Sequence, residues 1–188
     1  MILDINDILQ IMSSALPEKG CVYLSTPITG GMYRLDHPND IDKVIQYNSQ
    51  SAIFMEKEII NDPYYDSYGP IINPARTFIK GFTQSQYLEL WKSVIEKFVS
   101  RLWLMPDFHF SSGCVEEAAF AYQRDIPVIL IKRDFYIFDD GCVEDELSYD
   151  ERLPREDFIK LVSEAIPFME EVGLCTKSHE DVLRDINV

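Results

Sequence analysis

Strand-sized apolar runs alternate with long amphipathic stretches through residues 21–131, and this alternation restricts the fold more than any other feature of the chain. The runs are Cys21-Val22-Tyr23-Leu24, Ile71-Ile72, Leu102–Met105 and Pro127–Ile131. Helical spacing separates them. Asn39 to Ile60 carries Ile41, Val44, Ile45, Ala52, Phe54, Met55 and Ile59, after an N-cap at Asn39 or Asp40. Thr83 to Ser100 carries Tyr87, Leu90, Trp91, Val94, Ile95 and Phe98, and a shorter helix spans Gly113 to Arg124. The order β, α, β, α, β, α, β favours a parallel sheet of four or five strands with helices on both faces.

The flanks are simpler or less legible. Asp4 opens an amphipathic helix with Ile5, Ile8, Leu9, Met12 and Leu16 at helical spacing, ended by Pro17 and Gly20. Asn61 to Gly69 reads as a loop. Asp134 to Asp150 mixes aromatics with acids and fits a hairpin, an irregular arm or a fifth strand. A helix from Arg155 to Val172 contains Pro167, expected to kink it, and Glu180 to Ile186 forms one more short helix. We expect one α/β domain over 1–188, with 132–188 as a C-terminal elaboration.

Charge narrows the partners. With 17 Lys+Arg against 32 Asp+Glu the net charge is −15, and no basic run appears, so nucleic-acid polymers and anionic membranes are excluded as expected partners. The longest apolar stretch, Pro127–Ile131, is far short of a membrane span. Cys21, Cys114, Cys142 and Cys175 form no Cys-x-x-Cys pair, and no leader is evident, so a cytoplasmic protein with reduced thiols is expected. His37, His109 and His179 form no ligand set, so no metal site is expected.

In a parallel α/β sheet, ligands bind beyond the carboxyl ends of the strands. Three loops fall there: Ser25 to Gly31, Asn73 to Arg76, and Pro106 to Glu117. Ser111-Ser112-Gly113 leads into a helix with Glu116 and Glu117 expected in its first turn, where free N–H groups and a hydroxyl can hold a ligand. Acids there also simply complement the helix dipole. Periodicity does not choose between them, because both flank the apolar face Val115, Ala118, Ala119 and Tyr122. Gly113 and Ala121, four residues either side of Glu117, leave room beside it. Gly30-Gly31 lacks the phosphate-loop and dinucleotide patterns and reads as a turn, with phosphate contact the alternative. Cys114 at the helix start reads as a small packing residue, and Trp91 and Trp103 as core.

Three segments together carry a resemblance: Val22-Tyr23-Leu24-Ser25-Thr26-Pro27-Ile28-Thr29-Gly30-Gly31, Ile72-Asn73-Pro74-Ala75, and Ser111-Ser112-Gly113-Cys114-Val115-Glu116-Glu117-Ala118-Ala119-Phe120-Ala121. They resemble the nucleoside 2-deoxyribosyltransferase superfamily over residues 21–131. The nearest likeness is to a branch of unassigned function that shares the Asn-Pro-Ala step and a helix containing Trp, here Trp91.

The resemblance implies a Rossmann-like or flavodoxin-like fold and cleavage of a nucleoside or nucleotide N-glycosidic bond, without cofactor. It implies Glu117 as nucleophile, Tyr23 near the substrate and Ser111 at a sugar or phosphate contact. Ser25, Thr26, Asn73 and Gly113 would complete the pocket, and homo-oligomers are expected. The family's general acid would fall at Lys92, a departure. Asp107, His109 or Glu116 could substitute, and the departure also fits a nucleotide-binding module without catalysis.

Overall fold

The computed structural model describes residues 4–62, 65, 68–137, 143–148 and 151–186. Strands β1 (Cys21–Ser25), β2 (Ile71–Ile72), β3 (Val99–Leu104) and β4 (Val128–Leu130) pair in parallel in the order β2-β1-β3-β4. Every residue of β1 is buried, as a central strand covered on both faces must be. Alternate side chains serve opposite layers. Cys21, Tyr23, Leu102, Leu104 and Val128 join the core beneath α4 (Gln84–Phe98) and α5 (Ser112–Tyr122). Val22, Leu24, Trp103 and Ile129 face Met55 and Ile59 of α3 (Ile41–Asn61). The fold is Rossmann-like, with flavodoxin-like strand order. The chain reverses direction across the sheet between β1 and β3, so a crevice opens at their carboxyl ends.

Local chemistry sets the helix starts. Asp4 caps α1 (Ile5–Ala15) and Thr83 caps α4, each in a capping box, while the Asp40 side chain accepts from Lys43 N–H at the start of α3. α6 (Arg155–Glu171) is assigned as one helix through Pro167, and α7 (Lys177–Ile186) begins earlier than Glu180.

Several boundaries differ from expectation. α4 ends at Phe98 and passes directly into β3, so the third strand starts at Val99 and ends at Leu104. A one-turn helix, α2 (Met32–Asp36), follows Gly31. After β4, β5 (Lys132–Ile137) pairs antiparallel with β6 (Val143–Ser148), and among the described residues the parallel sheet has four strands. α5 starts at Ser112, which puts Glu116 and Glu117 in its second turn and leaves its first turn without an acid. Complementing the helix dipole therefore does not account for either glutamate, because that effect fades beyond the first turn.

No helix among the described residues is long and apolar enough to cross a membrane. Cys21, Cys114 and Cys175 are free thiols; Cys142 lies outside the described residues.

Candidate functional site

β1 ends in a tyrosine and a serine that face the same way, because Tyr23 and Ser25 are two residues apart on a strand. α5 descends along that face, and its Glu117 meets both. Tyr23 Oη donates to Glu117 Oε1 at 2.8 Å, and Ser25 Oγ donates to Oε2 at 2.7 Å. Glu117 is only 7% exposed and makes no ion pair among the described residues. Burial is the main reason its carboxyl is pushed up to about 7, with the two hydroxyls pulling the other way and nearby Glu116 and Lys92 acting more weakly in opposite senses. Each carboxylate oxygen has spent one lone pair on a hydroxyl and keeps another.

The neighbours of this carboxyl hold their protons. Burial, then the charge of Glu117, drives the Tyr23 phenol far above its ordinary range, so it remains a donor. The Cys114 thiol is pushed up to about 12, chiefly by burial, and the Ser111 and Ser25 hydroxyls hydrogen-bond to it. A thiol at a helix start is often acidified. Here burial outweighs that effect and keeps the Cys114 thiol protonated. Ser111 is the N-cap residue of α5 and is buried, but its side chain makes no capping bond.

Two loops are clamped beside the cluster. A Cβ on Gly30 would lie 2.6 Å from Phe110 O and 2.7 Å from Ser111 Cα, so only glycine lets the β1 loop approach the start of α5 this closely. Gly31 N–H donates to the Phe110 carbonyl at 3.1 Å, and Asn48 of α3 donates to the carbonyls of Ile28 and Gly30 at 3.1 and 2.8 Å. By contrast, a Cβ on Gly113 would meet nothing within 4 Å. Gly113 is four residues before Glu117 and so shares its face of α5.

The structure thus brings Tyr23, Ser25, Ser111, Gly113 and Glu117 into one neighbourhood. Thr26 is buried at the start of the loop, its Oγ1 lacking a partner among the described residues. Asn73 is committed elsewhere: its Oδ1 accepts from Ala75 N–H, and its Nδ2 donates to Ala52 O and Glu56 Oε2.

Lys92 Nζ lies 3.5 Å from Glu116 Oε2, and both border a cavity of about 170 Å³ beside Asp181 and Asp185. Asp107, with φ of 64°, and His109 line a second cavity of about 430 Å³ with Leu130 and Leu161. Burial lowers the His109 pKa, and the His109 carbonyl accepts from the buried His179 ring at 2.9 Å. Glu117 borders neither cavity. Asn48 is a residue sequence reasoning missed, whereas Cys114 is the small buried packing residue it was expected to be. A polar residue on the apolar face of α3, in line with Val44, Ala52 and Met55, was the signal for Asn48.

The cluster is thus a buried carboxyl at the switch point of a Rossmann-like sheet, held by two hydroxyls and by no cation among the described residues. Comparison with protein-family models, curated proteins and solved structures finds no match for the chain.

Proposed function

We propose that the chain cleaves the N-glycosidic bond of a nucleoside or nucleoside 5′-monophosphate, by hydrolysis or 2-deoxyribosyl transfer, with Glu117 as nucleophile. The observation that carries this reading is a glutamate 93% shielded from solvent and held by Tyr23 and Ser25 without a cation. A structural carboxylate at such depth is ordinarily paired with a positive charge. One with a pKa of about 7 is poised near neutral pH, ionised often enough to attack and desolvated enough to be reactive.

In the reaction, a Glu117 oxygen forms a bond to C1′ as the C1′–N bond breaks, its electron pair leaving with the base, which takes up a proton. Water or a second base then attacks C1′ and releases the carboxylate. The hydroxyls of Tyr23 and Ser25 fix the orientation of the carboxylate, and the open space at Gly113 gives the sugar room. Resemblance adds a homo-oligomer, for which the exposed Phe168 on α6 offers apolar surface.

The pairing of Lys92 with Glu116 favours a second reading, a nucleotide-binding module without catalysis, because it ties up a position from which a general acid would protonate the base. Incubation with a panel of nucleosides and monophosphates, with released base followed by chromatography, decides between them. Catalysis predicts base release that Glu117→Gln abolishes, and an added second base separates transfer from hydrolysis. The binding module predicts thermal stabilisation by a nucleotide with no base released.

A further inference from the structure

The loop between β2 and α4 leaves Phe78 87% exposed, the most exposed large apolar side chain among the described residues. Its place in the fold gives that exposure a meaning. Tyr23 bridges the two sides of the site: its hydroxyl holds Glu117, and its ring meets Trp91 of α4 edge-on, with centroids 6.1 Å apart. Trp91 lies two turns below the Thr83 cap, about 12 Å along the helix. Ser25 stands about 7 Å above Tyr23 along β1. Because α4 runs back down the sheet while β1 runs up it, the Thr77–Phe82 loop stands above the end of β1, on the face where Glu117 sits.

The loop is anchored but keeps a free tip. Tyr87 Oη accepts from Ile79 N–H at 2.7 Å and donates to its carbonyl at 3.2 Å. Gly81 has φ of 91°, with nothing within 4 Å of a would-be Cβ. In a chain of net charge −15, residues 74–82 carry Arg76 and Lys80 and no acid. Glu56 neutralises Arg76, whereas Lys80 is exposed and has no ion pair among the described residues.

We infer that this loop grips the substrate, Phe78 stacking on the base and Lys80 meeting the phosphate, so that the substrate class is a nucleoside 5′-monophosphate rather than a free nucleoside. The inference rests on the reading of Glu117 for the position of the sugar. An exposed aromatic offers a face to any base, and a lone cation on an acidic protein concentrates an anionic group where it stands.

Binding is measured by calorimetry on the full chain, wild type and Glu117→Gln, with the four deoxynucleoside monophosphates and the matching deoxynucleosides. Phe78→Ala is expected to weaken both ligand sets about tenfold. Lys80→Ala is expected to weaken only the monophosphates, by roughly five- to tenfold, and to flatten their salt dependence. Both side chains are exposed, so folding is not at stake. Affinities unchanged in both variants, or no binding of any of these ligands to the wild type, overturn the inference. Base release with unchanged affinities would keep the Glu117 reading and remove the loop from it. The expected affinity pattern without base release would do the reverse.

Discussion

Glu56 and Glu117 are both 7% exposed, and both sit on helices that flank β1. Their surroundings are opposite. Glu56 Oε2 accepts from the Asn73 amide at 2.7 Å and from the Arg76 guanidinium at 2.6 Å, and this clamp ties α3 to the turn after β2. Glu117 has only two hydroxyls. A buried carboxylate matched to a cation is part of the framework. One left unmatched raises the energy of its own ionised form, and that cost is tolerated where reactivity is needed.

The sharpest break between the two is in activity. On the proposed reaction, Glu117→Gln should lower base release by about a thousandfold or more, the loss expected when a covalent nucleophile is removed, whereas Glu56→Gln should leave single-turnover rates within a few-fold. Steady-state and rapid-quench assays of both variants measure this.

Stability should diverge in sign. Below pH 4.5, the ordinary value for a glutamate, folded and unfolded chains both carry the Glu117 proton. Between 4.5 and about 7 the unfolded chain releases it while the folded chain keeps it, so the stability this group contributes at low pH is lost as pH rises through its folded value. Glu117→Gln removes the penalty and should gain about 3 kcal/mol over wild type at pH 8, with the two converging near pH 4. Urea titrations at the two pH values test it.

Glu56→Gln should instead lose about 1–2 kcal/mol at pH 8, since the bonds from Asn73 and Arg76 weaken. A stabilised Glu56→Gln would erase the contrast. The smallest effect concerns tuning. Tyr23→Phe removes the donor to Oε1 and should raise the Glu117 pKa further, moving the rising limb of the pH–rate profile of the proposed reaction upward from near pH 7. A carboxyl-stretch titration by infrared reads the same shift without turnover.

The layers of the fold were legible because each strand is a short apolar run and each helix a long periodic one. The junction at Phe98 and Val99 was not: both residues are apolar, and a helical and a strand pattern overlap there. Ser100 and Arg101 also disguise the start of β3. Arg101 is tolerated in the strand because its guanidinium lies 4.6 Å from the Tyr68 ring centre. α2 is a single turn, too short to show a period.

At the site, helical periodicity did not choose between Glu116 and Glu117, and only the small neighbours Gly113 and Ala121 and the family resemblance pointed to Glu117. What separates them is tertiary: Tyr23 and Ser25 reach Glu117 across 94 and 92 positions of sequence, while Lys92 takes Glu116. Asn73 looked like a pocket residue because it follows a strand, yet its amide is spent on α3 and on its own turn.

The margins of the sheet carry one more implication. On one side β2 offers only two residues, and on the other Arg152 bridges Ile129 in antiparallel fashion while Leu153 N–H donates to the Val128 carbonyl at 2.9 Å. A visiting strand finds little backbone to zip onto at either border. Extension of this four-stranded sheet from one copy of the chain into another is therefore opposed at both of its borders.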